Sequence, residues 1–226
     1  MPLARMIAEK VGRAITKSYD FDEDGTRVMD FACGSGLLSR VLAAHCASIT
    51  GADINPAVVA RYNARAAQQG LSPAEMSAIL VSDLPEPNPA ESEEGMFDVV
   101  ACSMAFHHIK DINAAVRELA NRIHPGGALF VADLLHDALE IGSSSSSSAP
   151  RGRLLHVGGP IHLHAPGSNV EHPDGFTREE VLVAFQNVGL EDVTMDVVHS
   201  VDGGLGVWEV FLASGWKPDS SHESDD

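Results

Sequence analysis

The sequence predicts an α/β fold built on a doubly wound, mostly parallel sheet. Three observations predict it. Short apolar runs alternate with segments of helical length over residues 6–133, and parallel neighbouring strands require crossover connections of this kind. A glycine turn, Gly34-Ser35-Gly36, directly follows the first apolar run. Two β-rich runs near the C-terminus fit an antiparallel hairpin.

The first half of the chain predicts three helices and three strands. Residues 6–17 have apolar residues at helical spacing, and the following RVMDF run is a short buried strand. Asn55-Pro56 is typical of a helix start, and Gly70 of a helix stop. The predicted helices are 6–17, 36–46 and 56–69, and the predicted strands are 27–31, 47–53 and 77–81.

The second half predicts two helices and four strands, which completes a seven-stranded Rossmann-like sheet. The run His124-Pro125-Gly126-Gly127 ends one helix, and Thr177 with Glu180 forms a capping box that opens the other. The predicted helices are 111–123 and 177–188, and the predicted strands are 97–103, 128–133, 193–201 and 207–213.

Residues 1–216 are expected to form one domain. Within it, residues 134–175 lose periodicity, include six consecutive serines and predict an irregular loop or lid insertion. Residues 217–226 predict a disordered acidic tail. The histidines of the irregular segment have no spacing that fixes a coordination geometry, so no metal site is predicted; they are His156, His162, His164 and His172.

Composition disfavours nucleic-acid-binding, membrane-inserted and secreted proteins. The chain has 32 acidic and 15 basic residues and a net charge of −17, which disfavours nucleic acid as a partner. No apolar run is long enough to span a bilayer, and membrane insertion is not expected. Three cysteines without a CxxC pair, and no secretion signal, favour a cytoplasmic setting. The sequence leaves the oligomeric state open.

Three acids at predicted strand ends indicate the ligand class. Asp53 follows Asp30 by 23 positions, where a carboxylate can accept both hydroxyls of a ribose. Asp30 precedes the glycine turn and suits a cationic ligand end, and Asp83 can accept from the amino group of adenine. Ser39 stands where a dinucleotide fingerprint requires Gly or Ala, which disfavours a nicotinamide-dependent reductase. Turn capping is the simpler reading of any one of these acids.

Together with FDVVACSMAFHHIKD and HPGGALFVADL, these motifs resemble the class I S-adenosylmethionine-dependent methyltransferases, and within them the small-molecule branch of ubiquinone and menaquinone biosynthesis. The resemblance is strong over residues 28–133. It implies S-adenosylmethionine as cofactor and a small-molecule methyl acceptor. The implied cofactor contacts are Asp30, Ala32, Gly34 and Gly36 at the methionine end, Asp53 at the ribose, Ile54, Asp83 and Leu84 at the adenine, and Ser103 near the methyl group.

The resemblance also implies which residues act on the acceptor. His107 and His108 would open the substrate side, and either could serve as a general base if the nucleophile arrives protonated. Asp133 is a second candidate. The alternative is that one of the two histidines packs against or caps the following helix while the other is solvated.

Two departures from the family pattern affect what is expected of cofactor binding and activity. Ala32 replaces a frequent glycine, which is a mild change if its φ is negative. Only 27 residues precede Val28, whereas relatives carry further N-terminal segments over the cofactor. The second departure keeps open the alternative of a non-catalytic relative that binds S-adenosylmethionine or S-adenosylhomocysteine as a sensor or subunit.

Overall fold

The computed structural model describes residues 3–87, 95–135, 170–202 and 207–219. They form one seven-stranded sheet with five helices. The helices are α1 (Leu3–Ser18), α2 (Leu37–Leu42), α3 (Pro56–Gln68), α4 (Ile112–Asn121) and α5 (Arg178–Gln186). The strands are β1 (Arg27–Phe31), β2 (Ser48–Asp53), β3 (Met76–Leu80), β4 (Phe97–Ser103), β5 (Ile123–Leu135), β6 (Glu191–Asp202) and β7 (Val207–Trp216).

The sheet has the strand order β3-β2-β1-β4-β5-β7-β6. The first five strands are parallel, and β7 pairs antiparallel with both β5 and β6. The predicted fold class is therefore confirmed. From β1 the chain first winds outward through β2 and β3 and then returns to β4 on the other side of β1. This reversal places a switch point between β1 and β4, where open α/β sheets bind ligands beyond the carboxyl ends of the strands.

Helices cover both faces of the sheet because the central strands are apolar on both sides. Val28 and Val99 pack in the cluster that includes α1 and α2, whereas Met29 and Val100 pack in the cluster that includes α4 and α5. Consecutive strand residues point to opposite faces, so β1 and β4 each contribute to both cores. None of the helices in the described ranges is long and apolar enough to cross a membrane.

Helix α2 is shorter than predicted and ends at Leu42 instead of Cys46. The His45 amide donates to the Leu42 carbonyl, a three-residue turn, and the Cys46 thiol contacts the same carbonyl. The Ala47 amide then donates to the Thr26 carbonyl. This tight turn brings the chain back to the start of β2, which a helix continuing to Cys46 would prevent.

Strand β5 begins earlier and ends later than predicted. The prediction assigned Ile123 to a helix and the following residues to a helix stop, but Ile123 is fully buried and pairs with Phe97. The register shifts after this pair, and Gly126 adopts a φ of 78°. Glycine allows the bend without steric strain, so the strand passes through the predicted stop. At its other end it extends to Leu135.

The C-terminal hairpin strands are confirmed and are longer than predicted, while residues 203–206 between them lie outside the described residues. After β7, the Lys217 amide donates to the Gly127 carbonyl, and its ammonium donates to the carbonyls of Ala120 and Ile123. Lys217 thus links the chain beyond β7 to the junction of α4 and β5. Residues 220–226 of the predicted tail and 136–169 of the predicted irregular segment also lie outside the described residues.

Candidate functional site

The carboxyl ends of the five parallel strands carry the predicted site residues along one edge of the sheet. From β3 to β5 the edge presents Asp83, Asp53, the glycine turn after β1, Ser103 and Asp133. Strand pairing explains the arrangement, because parallel strands end at the same edge. The structure therefore brings the turn that begins at Ala32 to the same edge as Asp133, 101 positions further along the sequence.

Three residues of the glycine turn have a left-handed backbone conformation. Ala32, Gly34 and Gly36 have φ values of 55°, 53° and 72°. A Cβ at Gly36 would lie 2.7 Å from the ring of Tyr62, whereas one at Gly34 would have its nearest contact at 4.0 Å. Gly36 is thus required by the buried Tyr62 ring beneath the turn, and Gly34 leaves its outer side open. Alanine at residue 32 would be a mild change only with a negative φ, and the structure does not meet that condition, because Ala32 has a left-handed φ.

Ala32→Gly is expected to be better tolerated than the same change at Ala43, which is also half-buried but has a φ of −57°. A left-handed alanine is strained by about 1 to 2 kcal/mol, and glycine relieves that strain only at residue 32. The added freedom of glycine in the unfolded chain is common to both variants. Urea denaturation should give Ala32→Gly a free energy of unfolding about 1 to 2 kcal/mol above that of Ala43→Gly; equal values would contradict the strain.

Asp53 links β2 to the glycine turn. One carboxylate oxygen accepts from the Gly34 amide at 3.1 Å, and the other accepts from the Asn55 amide at 2.9 Å. A carboxylate offers about four lone-pair positions, so each oxygen keeps an acceptor position for a further donor. Asp53 is half-buried at the end of β2. It can therefore accept two hydroxyl groups from a ligand that lies on the turn.

Next to Asp53 the surface is apolar. Ile54 is 84% exposed, the largest exposure among the large apolar residues described. On the neighbouring strand side, Asp83 ends a short 3₁₀ turn that directly follows β3. It is exposed, and its carboxylate accepts from the Ser82 hydroxyl. Leu84 is buried and its amide donates to the Val81 carbonyl at 3.3 Å. An apolar surface flanked by a carboxylate suits a flat heterocycle with an amino group.

Asp30 lies beneath the glycine turn and is 2% exposed. One of its oxygens accepts from both the backbone amide (3.2 Å) and the hydroxyl of Ser39, which is fully buried in the first turn of α2. Burial raises the pKa of Asp30 to about 6, with the Ser39 hydrogen bonds opposing that rise. Asp30 thus joins β1 to α2 across the turn.

His107 and Asp133 form a buried pair on the other side of the switch point. His107 follows β4 in a 3₁₀ turn, and its Nδ1 lies 2.8 Å from the Asp133 carboxylate. The His107 amide donates to the second Asp133 oxygen at 3.2 Å. His107 is 1% exposed and Asp133 is fully buried. The half-buried His108 ring lies beside His107, with 4.2 Å between ring centroids.

Residues 171 and 172 contact this pair from the far end of the irregular segment. The amides of Glu171 and His172 both donate to the His107 carbonyl, and the His172 ring contacts the Ile109 carbonyl at 3.0 Å. The sequence interpretation treated His172 only as a member of a metal-free histidine group. Its neighbour Pro173 and the Gly175 stop were the available signals of a fixed turn.

Three further residues of the candidate site were not identified from the sequence. Ser39 was noted only as a mismatch to the dinucleotide fingerprint, although a polar residue at a buried helical position indicates a hydrogen-bond partner. Tyr62 lies in the predicted helix between Asn55 and Gly70, and the sequence assigned it no further role. Arg40 donates to the Ser35 carbonyl at 2.8 Å, and nothing in its sequence context distinguishes it from a solvated helical arginine.

Comparison with known proteins agrees with this architecture. The profile of a family described as methyltransferase domain matches residues 3–195. A protein described as an uncharacterized methyltransferase of Schizosaccharomyces pombe is 32% identical over 171 residues, which cover 75% of this chain and 55% of that protein. A ubiquinone biosynthesis O-methyltransferase of Xanthomonas euvesicatoria is 34% identical over 110 residues, which cover 49% of this chain and 44% of the relative. The chain thus spans about half the length of these relatives.

A solved structure shares the fold over nearly the whole chain. The N-methyltransferase NodS of Bradyrhizobium japonicum, determined with S-adenosylhomocysteine, superposes with a TM-score of 0.61 at 18% identity and covers 96% of this chain and 89% of its own. The match of the family profile to most of the chain is the stronger finding. On that match, the chain belongs to the methyltransferase domain family.

Proposed function

We propose that the chain binds S-adenosylmethionine along the carboxyl edge of β3, β2, β1 and β4 and transfers its methyl group to a small-molecule acceptor by in-line displacement. The observation that carries this proposal is the combination of Asp53 and Ile54. A carboxylate with acceptor capacity on each oxygen stands beside an isoleucine that is 84% exposed. A ribose and an adenine match these two surfaces.

The residues present fit the cofactor. Gly34 leaves open space on the outer side of the turn, so a ligand backbone can approach closely there. Asp83 is exposed at the end of its turn, as an acceptor for an adenine amino group must be. Ser103 ends β4 beside Ala132 and is half-buried, which suits a wall beside the reacting methyl group. Ala32 and Gly36 contribute to the backbone of the same turn.

Bound S-adenosylmethionine supplies a methyl group already activated on a sulfonium sulfur. The protein has to orient the acceptor and exclude water. Where an acceptor arrives protonated, His108 is the better-placed base because it is half-buried, whereas His107 and Asp133 are almost fully buried. Burial and the three donors on Asp133 support a positioning role for the His107–Asp133 pair.

Asp53→Ala is expected to weaken S-adenosylmethionine binding by about tenfold or more, because it removes the acceptor for two hydroxyl groups. Isothermal titration calorimetry with S-adenosylmethionine, S-adenosylhomocysteine and NADH measures this and tests the proposed function. Wild type should bind the first two and not the third.

The matched control is Asp22→Ala. Asp22 is exposed and accepts from the amide two residues ahead at 3.0 Å, as Asp53 does from Asn55 at 2.9 Å. The control should bind both cofactor forms as wild type does. Unchanged affinity of Asp53→Ala would refute the ribose assignment, and absence of binding in wild type would refute the proposed function.

A further inference from the structure

Asp30 is a buried carboxylate without an ion pair in the described part of the chain. Its hydrogen-bonding partner is Ser39, which is neutral. A buried charge without a partner of opposite sign is unfavourable, and proteins usually pair such a charge or neutralise it. Asp30 lies directly beneath the glycine turn, so a cationic ligand bound on the turn would stabilise its ionised carboxylate.

The groups that face Asp30 are neutral or acidic. Cys33 lies in the turn above it, Asp53 ends the neighbouring β2, Cys102 lies on β4, and Tyr62 reaches it from α3. Burial raises the pKa of the Cys33 and Cys102 thiols and of the Tyr62 phenol, and the charge of Asp30 raises all three further. Asp53 in turn raises the pKa of Asp30.

Two arginines approach the glycine turn, and both contact a backbone carbonyl of the turn. Arg40 donates to the Ser35 carbonyl on the other side of the turn, and Arg65 approaches the same carbonyl at 3.4 Å. Both groups act on the backbone of the turn, and neither forms an ion pair with Asp30. The field beneath the turn is accordingly negative whenever Asp30 is ionised.

We propose that the buried Asp30 carboxylate distinguishes the sulfonium cofactor from its neutral thioether product, and that Ser39 is the positioning residue that holds this carboxylate beneath the turn. The inference rests on the proposed function. S-adenosylmethionine carries one positive charge more than S-adenosylhomocysteine, at the sulfur atom. Because Asp30 is 2% exposed, it acts through its field across the turn rather than by contact, and in a low-dielectric setting such a field is strong. Discrimination of this kind favours product release after transfer.

The discrimination should depend on pH. Burial raises the pKa of Asp30 to about 6, so the carboxylate is mostly neutral near pH 5 and mostly charged near pH 7. A cationic ligand favours the charged form and a neutral one does not, so by linkage the preference for S-adenosylmethionine rises with pH. Asp53 and the ligand's own amino and carboxyl groups affect both ligands alike, and their titration largely cancels in the ratio of the two affinities.

The test is calorimetric titration of both ligands into the full chain at about pH 5, 6 and 7. For wild type, the ratio of the dissociation constant of S-adenosylhomocysteine to that of S-adenosylmethionine should rise by about three- to tenfold over this range. In Asp30→Asn, which keeps an acceptor for Ser39 but has no charge, the ratio should be lower and flat. In Ser39→Ala, which removes a hydrogen bond to the charged form, the rise should move to higher pH.

Asp111→Asn is the matched control, because Asp111 is an exposed carboxylate that accepts from the Ala114 amide at the start of α4. It should keep the wild-type pH dependence. A flat ratio in wild type, or an unchanged rise in Asp30→Asn, overturns the inference while leaving cofactor binding intact. Failure of wild type to bind either ligand overturns the proposed function instead. Should Asp30→Asn fail to fold, the shift in Ser39→Ala decides the question.

Discussion

Asp133→Ala is expected to lower the free energy of unfolding by about 3 to 5 kcal/mol, because three buried hydrogen-bond donors lose their acceptor. Asp133 is fully buried at the carboxyl end of β5. Its oxygens accept from His107 Nδ1 at 2.8 Å, from the His107 amide at 3.2 Å and from the Leu134 amide at 2.8 Å. Alanine would leave all three donors without this acceptor, and unsatisfied buried donors are costly.

Two variants separate the buried pair from a general effect of losing an aspartate. Asp133→Asn keeps one acceptor oxygen and should lose roughly half as much stability as Asp133→Ala. Asp111→Ala removes an exposed helix cap on α4 and should lose only about 1 kcal/mol. Urea denaturation at neutral pH measures all three. A loss in Asp133→Ala no larger than that in Asp111→Ala would show that the pair contributes little.

The pair also illustrates what the sequence could not predict. His107 and Asp133 were each identified as candidates on the acceptor side, but their contact joins residues 26 positions apart on two elements. Only the pairing of β4 with β5 brings them together. Asp133 therefore entered the sequence interpretation as an alternative base, whereas its three hydrogen bonds favour holding His107 in place.

Periodicity was sufficient for the architecture. The alternation of apolar runs and helical segments predicted all seven strands, because each central strand is buried on both faces and each helix on one. Boundaries failed where tertiary contacts override local signals. Ile123 follows a helical pattern but is drawn into the sheet by Phe97, and helix α2 ends early because its turn must return to β2.

The glycine turn shows the same limit at the level of one residue. Its position and its role were predictable from Gly34 and Gly36, which follow a strand and precede a helix. The left-handed φ of Ala32 was indicated only by the glycine that the family frequently has at this position, since alanine itself rarely adopts such a φ. The buried ring of Tyr62 beneath Gly36 comes from α3, 26 residues further along the chain.

Asp30→Asn is expected to stabilise the ligand-free protein by about 2 to 3 kcal/mol at pH 7, and by little near pH 4. The sign follows from the direction of the pKa shift. Burial raises the pKa of Asp30 from 3.8 to about 6, so between these values the folded state binds more protons than the unfolded state. Stability therefore falls as pH rises through this window and stays low above it. Asparagine cannot ionise, so the variant avoids this loss.

The measurement is urea denaturation of wild type and Asp30→Asn without cofactor, at about pH 4 and pH 7. Other groups contribute to the pH dependence of both proteins, so the informative quantity is the difference between the two at each pH. Asp111→Asn, at an exposed helix cap, should show no such pH-dependent difference. A deficit in Asp30→Asn of equal size at both pH values would mean that the Ser39 hydrogen bonds, and not the charge, dominate at this site.

A stabilising outcome would show that the carboxylate at residue 30 is unfavourable for folding, so its presence would need a reason other than stability. Asparagine could satisfy the Ser39 amide and hydroxyl with its carbonyl oxygen, so hydrogen bonding alone does not require aspartate at residue 30. What asparagine cannot provide is the negative charge beneath the turn. A protein that is less stable with its natural residue in the ligand-free state, yet discriminates better between a sulfonium and a thioether ligand, would have exchanged stability for a charge that acts on the cofactor.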